Sequence, residues 1–122
     1  MLDHRFYKNG QLAEIEIYID NKKIVRYWDE NGKPQFELRK ENNETKKWIY
    51  YENGNLEQIL SMKNGTIHGE QSNYYENGQL RMKGNYKDGK KDGVHKGWWE
   101  NGQLFYEANY KDGEDQKDEG IY

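Results

Sequence analysis

The sequence predicts an all-β fold: an up-and-down antiparallel meander of tandem β-hairpin repeats, forming an elongated, twisted, largely single-layer sheet. Three observations lead there. Asn-Gly recurs at Asn9-Gly10, Asn31-Gly32, Asn53-Gly54, Asn77-Gly78 and Asn101-Gly102, at spacings of 22, 22, 24 and 24 residues. Eleven residues after each of these glycines a second turn pair ends: Asp20-Asn21, Asn42-Asn43, Asn64-Gly65, Asp88-Gly89 and Asp112-Gly113. The composition is polar yet rich in rings, with 33% apolar and 34% charged residues beside four Trp and eleven Tyr. Such a mixture suits a thin sheet whose residues mostly touch water, not a thick core or a disordered chain.

The turn pairs carry a mechanism. Gly, Asn and Asp tolerate the positive φ of tight hairpins, so Gly10, Gly32, Gly54, Gly78 and Gly102 mark one set of turns and Gly65, Gly89 and Gly113 part of the other. The intervals leave roughly 7–10 residues between turns, which fits strands and excludes helices. About ten strands in five repeats follow, with a partial sixth repeat ending at Tyr122, and residues 1–122 read as one repeat domain. The single Pro agrees, because Pro removes a ladder donor.

Side-chain columns refine each hairpin. Before each Asn-Gly one slot is always aromatic: Phe6, Trp28, Tyr50, Tyr74, Trp98. After the glycine comes Leu12, Pro34, Leu56, Leu80 or Leu104. A three-residue turn with Gly in the left-handed region pairs Tyr74 with Leu80 and puts both columns on one face. Combined with odd spacings, that turn predicts that even-numbered strand residues all share a face. From Leu56 onward the even face is apolar (Tyr74, Leu80, Met82, Tyr86, Trp98, Tyr106, Tyr110) and the odd face polar. The N-terminal half departs from this, because Ile15, Ile17, Ile19, Val25 and Tyr27 are odd. Either the register changes near the first hairpins, or a second apolar patch lies there as a contact for a partner or second copy.

The phrase Tyr74-Tyr75-Glu76-Asn77-Gly78-Gln79-Leu80, with Tyr86-Lys87-Asp88-Gly89 after it, resembles the bacterial variant of the MORN repeat. It recurs at Trp98–Leu104 and in part at Tyr50–Leu56, and departs most at Trp28–Pro34. The chain is also similar to the YwqK-like group of toxin–antitoxin antitoxins. The resemblance implies a MORN-like repeat sheet and a protein-binding, neutralising role, with a toxin encoded nearby as partner. Related arrays imply a membrane- or lipid-associated scaffold as the alternative.

The residues themselves hold no catalytic pattern. His4, His68 and His95 lie in different hairpins with no matched spacing and read as solvated strand residues, His95 facing opposite to the other two. The recurring Glu30, Glu52, Glu76 and Glu100 sit inside turns, where a glutamate is ordinary, and neighbouring repeats set them about 10 Å apart along a sheet edge, too far for an acid pair. The run from Asp88 to Gly93 lacks the alternating ligands and closing Glu of a calcium loop. No cofactor, no metal and no catalytic residue is expected, and the absence of Cys excludes disulfides and thiolate metal sites. The net charge of −3, with acids and bases interspersed, argues against nucleic acid as partner and does not favour a lipid surface. Without a membrane-length apolar run or a signal peptide at Met1–Arg5, a cytoplasmic location is expected, although a trimmed exported protein would read the same.

What remains is a binding protein. The always-aromatic row covers the sheet in place of a second layer. The next slot carries Tyr51, Tyr75 and Trp99, which face the other side and are the candidate contacts, together with Ile15, Ile17 and Ile19. Open edge strands offer homo-oligomer formation as a further reading. An acidic lead-in, Glu114, Asp115, Asp118 and Glu119, would protect the C-terminal edge by charge.

Overall fold

In the computed structural model, which describes residues 2–116, twelve strands form one antiparallel sheet. They are β1 (Leu2–Phe6), β2 (Leu12–Ile19), β3 (Lys22–Trp28), β4 (Pro34–Glu41), β5 (Glu44–Tyr50), β6 (Leu56–Lys63), β7 (Thr66–Ile67), β8 (Gly69–Tyr74), β9 (Leu80–Lys87), β10 (Lys90–Trp98), β11 (Leu104–Lys111) and β12 (Glu114–Asp115). Spatial order follows chain order, except that β7 pairs only with β6, so the fold is an open meander. The count exceeds ten because one strand is broken between Ile67 and Gly69 and because β12 begins a further hairpin. Tyr122, Asp118 and Glu119 lie outside the described residues.

Two turn types alternate. At Asn77-Gly78, the Gly78 N–H donates to the Tyr75 carbonyl at 3.0 Å and the Tyr75 N–H to the Gln79 carbonyl at 2.9 Å. Gly78 has φ 92°, where an L-residue is strained. The other turns are two-residue loops. At Asn64-Gly65, Asp88-Gly89 and Asp112-Gly113 both residues have positive φ, the combination that matches strand twist.

Each Asn-Gly hairpin pairs its aromatic slot with the residue two after the glycine: Phe6 with Leu12, Trp28 with Pro34, Tyr50 with Leu56, Tyr74 with Leu80, Trp98 with Leu104. One step further out the register shifts in all five. Asn73 faces Met82 although Tyr74 faces Leu80, so one residue of the outgoing strand is extra. This bulge corrects the expectation that even residues share a face. A β-bulge inverts the alternation beyond it, so Arg5 meets Glu14 and Asn73 meets Met82, and the two-residue turns likewise pair odd with even, Glu14 with Tyr27 and Ile17 with Ile24. The expected even face therefore divides. Met82, Tyr86, Tyr106, Ala108 and Tyr110 share one face with Val25, Tyr27, Phe36 and Ile49, here the tyrosine face. Trp98 lies on the other, the tryptophan face, with Trp28, Trp48, Ile15, Ile17 and Ile24. The register change is a property of every repeat, not of the first hairpins.

The sheet has little interior. Ala13, Val25 and Ala108 are its buried apolar residues, Ser72 and His95 its buried polar ones, and no described side chain is less than 2% exposed.

Candidate functional site

Along the Asn-Gly edge the repeats are tied by side-chain donors to the next repeat's backbone. Tyr7, Tyr51 and Tyr75 donate their hydroxyls to the carbonyls of Trp28, Tyr74 and Trp98, at 2.7, 2.5 and 2.7 Å. Asn9, Asn53 and Asn77 donate side-chain amides to the carbonyls of Glu30, Glu76 and Glu100. Tyr51 and Tyr75 are thus half-buried and already engaged, a different position from the exposed contacts expected of them. Trp99 is 53% exposed and packs on Phe105 at 4.4 Å. Phe6, at the edge of the aromatic row, is exposed, whereas Trp28, Tyr50, Tyr74 and Trp98 are half-buried. Tyr7 belongs with the stitching tyrosines. The signal for its role was the recurrence of a hydroxyl in that slot.

The two 24-residue intervals carry their extra residues in one place. Between the pairs Met62–Ile67 and Ile59–Ser72, three steps of β6 face five of the opposing strand. Between Asn85–Asp92 and Lys83–Lys96, two steps of β9 face four of β10. Gly69 and Gly93, at positive φ, make these bulges. The ladder bonds lost there are replaced by side chains at equivalent positions. Gln71 accepts from the Ser61 N–H at 2.8 Å and donates to its carbonyl at 2.7 Å. His95 donates from Nε2 to the Asn85 carbonyl at 2.7 Å. Since a carbonyl only accepts, the proton of neutral His95 sits on Nε2. The ring lies over Gly84 and edge-on to Tyr86 and Tyr110, with centroids at 5.3 and 5.1 Å. Burial holds its pKa below the ordinary 6.5, assisted by Lys91 and opposed by the Asn85 bond. The expectation that His95 is a solvated residue is therefore wrong: it is 5% exposed. The two-residue turn at Asp88-Gly89 pairs Lys91 with Tyr86, and that puts His95 on the packed face with Tyr86 and Ala108.

The tryptophan face is concave near its middle. A trough of about 550 Å³ is lined by Ile24, Trp48, Met62 and His68 among others. Three cationic side chains on that face, Lys22, Arg39 and Lys46, border it against two carboxylates, Glu41 and Glu44. The Arg39 guanidinium lies 4.9 Å and the Lys46 ammonium 5.4 Å from the Trp48 ring centroid, within cation–π range. Glu37 anchors Arg39 at 2.8 Å and Arg26 at 2.6 Å. Burial of Glu37 raises its pKa, but the hydrogen bonds and charges of the two arginines outweigh this and leave it below 4.5. Ile24 continues the trough into the isoleucines, since it pairs with Ile17. Ile15 and Ile17 are half-buried and Ile19 is 55% exposed. The parity reading had grouped these isoleucines with Val25 and Tyr27, which lie on the opposite face.

The family model described as "MORN repeat variant" matches residues 5–20, 49–64, 67–88 and 91–112, more than half of the chain. The chain belongs to the MORN repeat variant family. As a MORN-repeat chain it is a repeat-based interaction module. No curated protein sequence matches it significantly. Among solved structures it is similar to the crystal structure of TarM, with TM-score 0.50, 16% identity, and coverage of 79% of this chain and 19% of that one. It is also similar to a mutant of S. aureus TarM in complex with fondaparinux, α-GlcNAc-glycerol and UDP, with TM-score 0.51, 15% identity, and coverage of 84% and 21%. The MORN chain spans about a fifth of those structures, and at such identity the likeness concerns the fold. Among the described residues no group of three or more His, Cys, Asp or Glu could hold a metal ion. No helix among them is long and apolar enough to cross a membrane. The MORN match leaves out residues 21–48, the stretch containing Asp29 and Pro34.

Proposed function

We propose that this MORN-repeat chain is a neutralising, antitoxin-type partner of another cytoplasmic protein, and that it holds an acidic segment of that protein in the Trp48 trough. The observation that carries this reading is the trough's three cations to two carboxylates around a half-buried tryptophan. An indole flanked by charges anchors an apolar side chain while the rim attracts carboxylates, the usual division between hot spot and steering groups. A protein segment fits better than an anionic membrane. The bases outside the trough are dispersed and largely matched: Lys23 with Glu16, Lys83 with Glu70, and Arg26 with Glu37.

Calorimetric titration with the product of the adjacent gene tests the proposal. Trp48→Ala is expected to weaken binding at least tenfold and Arg39→Glu to weaken it further, with affinity falling as salt rises. Trp99→Ala should leave it nearly unchanged. No binding, or wild-type affinity in Trp48→Ala, removes this reading.

A further inference from the structure

We propose that two copies of this chain pair antiparallel through β1, about a two-fold axis at His4, to form one continuous sheet. Among the described residues β1 is bonded only to β2, and all five of its residues are exposed, Leu2 by 53% and Phe6 by 60%. Backbone alternation decides which of its groups face outward. The Tyr7 N–H turns inward to the Gln11 carbonyl, so the N–H and C=O groups of Phe6, His4 and Leu2 turn out. The His4 N–H agrees, since its acceptor is the carboxylate of its own neighbour Asp3, at 2.9 Å, and not a strand.

The sequence Leu-Asp-His-Arg-Phe is complementary to its own reverse. With the axis at His4, Leu2 meets Phe6, Asp3 meets Arg5 and His4 meets His4, and the three even residues exchange backbone bonds across the junction. An axis at Asp3 or Arg5 would set like charges opposite each other and bring inward-facing groups to the edge. Each copy also offers what the other needs. Within one chain Asp3 faces Glu16, acid opposite acid, while Arg5 already bonds Glu14 at 2.8 Å. Pairing sets a guanidinium on the free side of Asp3, producing the row Glu14–Arg5–Asp3–Glu16 across the junction. On the tryptophan face it extends the row Ile24–Ile17–Leu2 onto Phe6 and Leu12 of the second copy. Open edges are usually blunted by charge. Here the two edge charges are of opposite sign and mutually placed, so they specify a partner.

Sedimentation velocity over a concentration series tests this with Asp3→Arg and Arg5→Asp. Wild-type chain should dimerise; each single variant, setting like charges together, should dimerise at least tenfold more weakly. An equimolar mixture of the two should recover dimer, because each introduced charge then meets its opposite, and the double variant should recover it alone. Far-UV circular dichroism checks that each variant keeps the sheet. If either loses it, His4→Cys replaces the test, because a chain with no other cysteine should then cross-link to a symmetric dimer under mild oxidation. A wild-type chain that stays monomeric, a dimer indifferent to both charge changes, a mixture that fails to recover, or a His4→Cys chain that does not cross-link overturns the proposal.

Discussion

The hairpin centred on Gly32 and those centred on Gly54, Gly78 and Gly102 share one backbone and are held by different chemistry. Around Gly78 the ties are neutral donors on backbone carbonyls: the Tyr51 and Tyr75 hydroxyls, the Asn53 and Asn77 amides, and His95 in its bulge. Around Gly32 Asp29 replaces the tyrosine and spends its carboxylate on its own turn, accepting from the Asn31 and Lys33 N–H groups at 2.9 Å. The neighbouring strands are joined instead by charges and rings: Glu37 between two arginines, Tyr27 stacked on Phe36 at 4.2 Å, and Lys47 over Phe36 at 4.3 Å. The lesson is that the hairpin geometry belongs to the turn and its bulge. The glue is interchangeable, which explains how a stretch so far from the repeat pattern keeps its register.

The largest expected effect attacks the neutral region. A Cβ at Gly84 would stand 2.2 Å from His95 Nδ1, and the ring cannot retreat from Asn85 and two tyrosines. Gly84→Ala should therefore cost about 2–3 kcal/mol, the upper range for overpacking, in urea denaturation. His95→Gln, which copies Gln71 at the equivalent position, should relieve most of that loss in the double variant. An undiminished loss would mean that the ring is not the obstacle.

Acid should separate the two regions next. Because His95 has a pKa depressed in the fold, the unfolded chain takes up its proton first. Its contribution is full above about pH 6.5 and declines as pH falls below that value. Glu37, also depressed, contributes fully above about pH 4.5 and loses its contribution only as pH falls further. Stability measured from pH 8 to 5 should thus decline through His95, and His95→Gln should flatten that slope. A slope unchanged in His95→Gln would place the sensitivity elsewhere. Glu37→Gln should cost about 1 kcal/mol, mostly lost in high salt because both arginines are half-exposed.

What the sequence disclosed, and what it hid, follow the same line. Turn residues act locally, so the Asn-Gly, Asp-Gly, Asp-Asn and Asn-Asn pairs reveal the hairpins and the pairing of Tyr74 with Leu80. The bulge one step beyond has no residue signature: Ala13, Gln35, Glu57, Arg81 and Phe105 stand at the extra position, and they share no chemistry. Without it, and without the two-residue length of the second turns, the faces are inverted on alternate strands, and His95 and the isoleucines are misplaced. The change of spacing from 22 to 24 was visible, and it marked the bulges that Gln71 and His95 fill. The trough was not legible, because Ile24, Arg39 and Trp48 meet only once the register is known.

The smallest effects sharpen the comparison by exchanging one glue for the other. Tyr75→Phe and Tyr51→Phe should each cost about 1 kcal/mol, since a half-buried carbonyl loses its donor while the ring still packs. Asp29→Tyr is the reverse experiment. It removes two bonds inside the turn, but Asn31 can take over the Lys33 N–H as Asn9, Asn53, Asn77 and Asn101 do in their own turns. The new hydroxyl would stand where Tyr7, Tyr51 and Tyr75 stand, one repeat before the carbonyl of Tyr50. If stitching is transferable, Asp29→Tyr should be neutral or stabilising by up to about 1 kcal/mol, and Tyr→Phe at that introduced position should abolish the gain. A loss of about 1 kcal/mol or more would show that the Gly32 hairpin has adapted to its charged glue and no longer accepts the neutral kind.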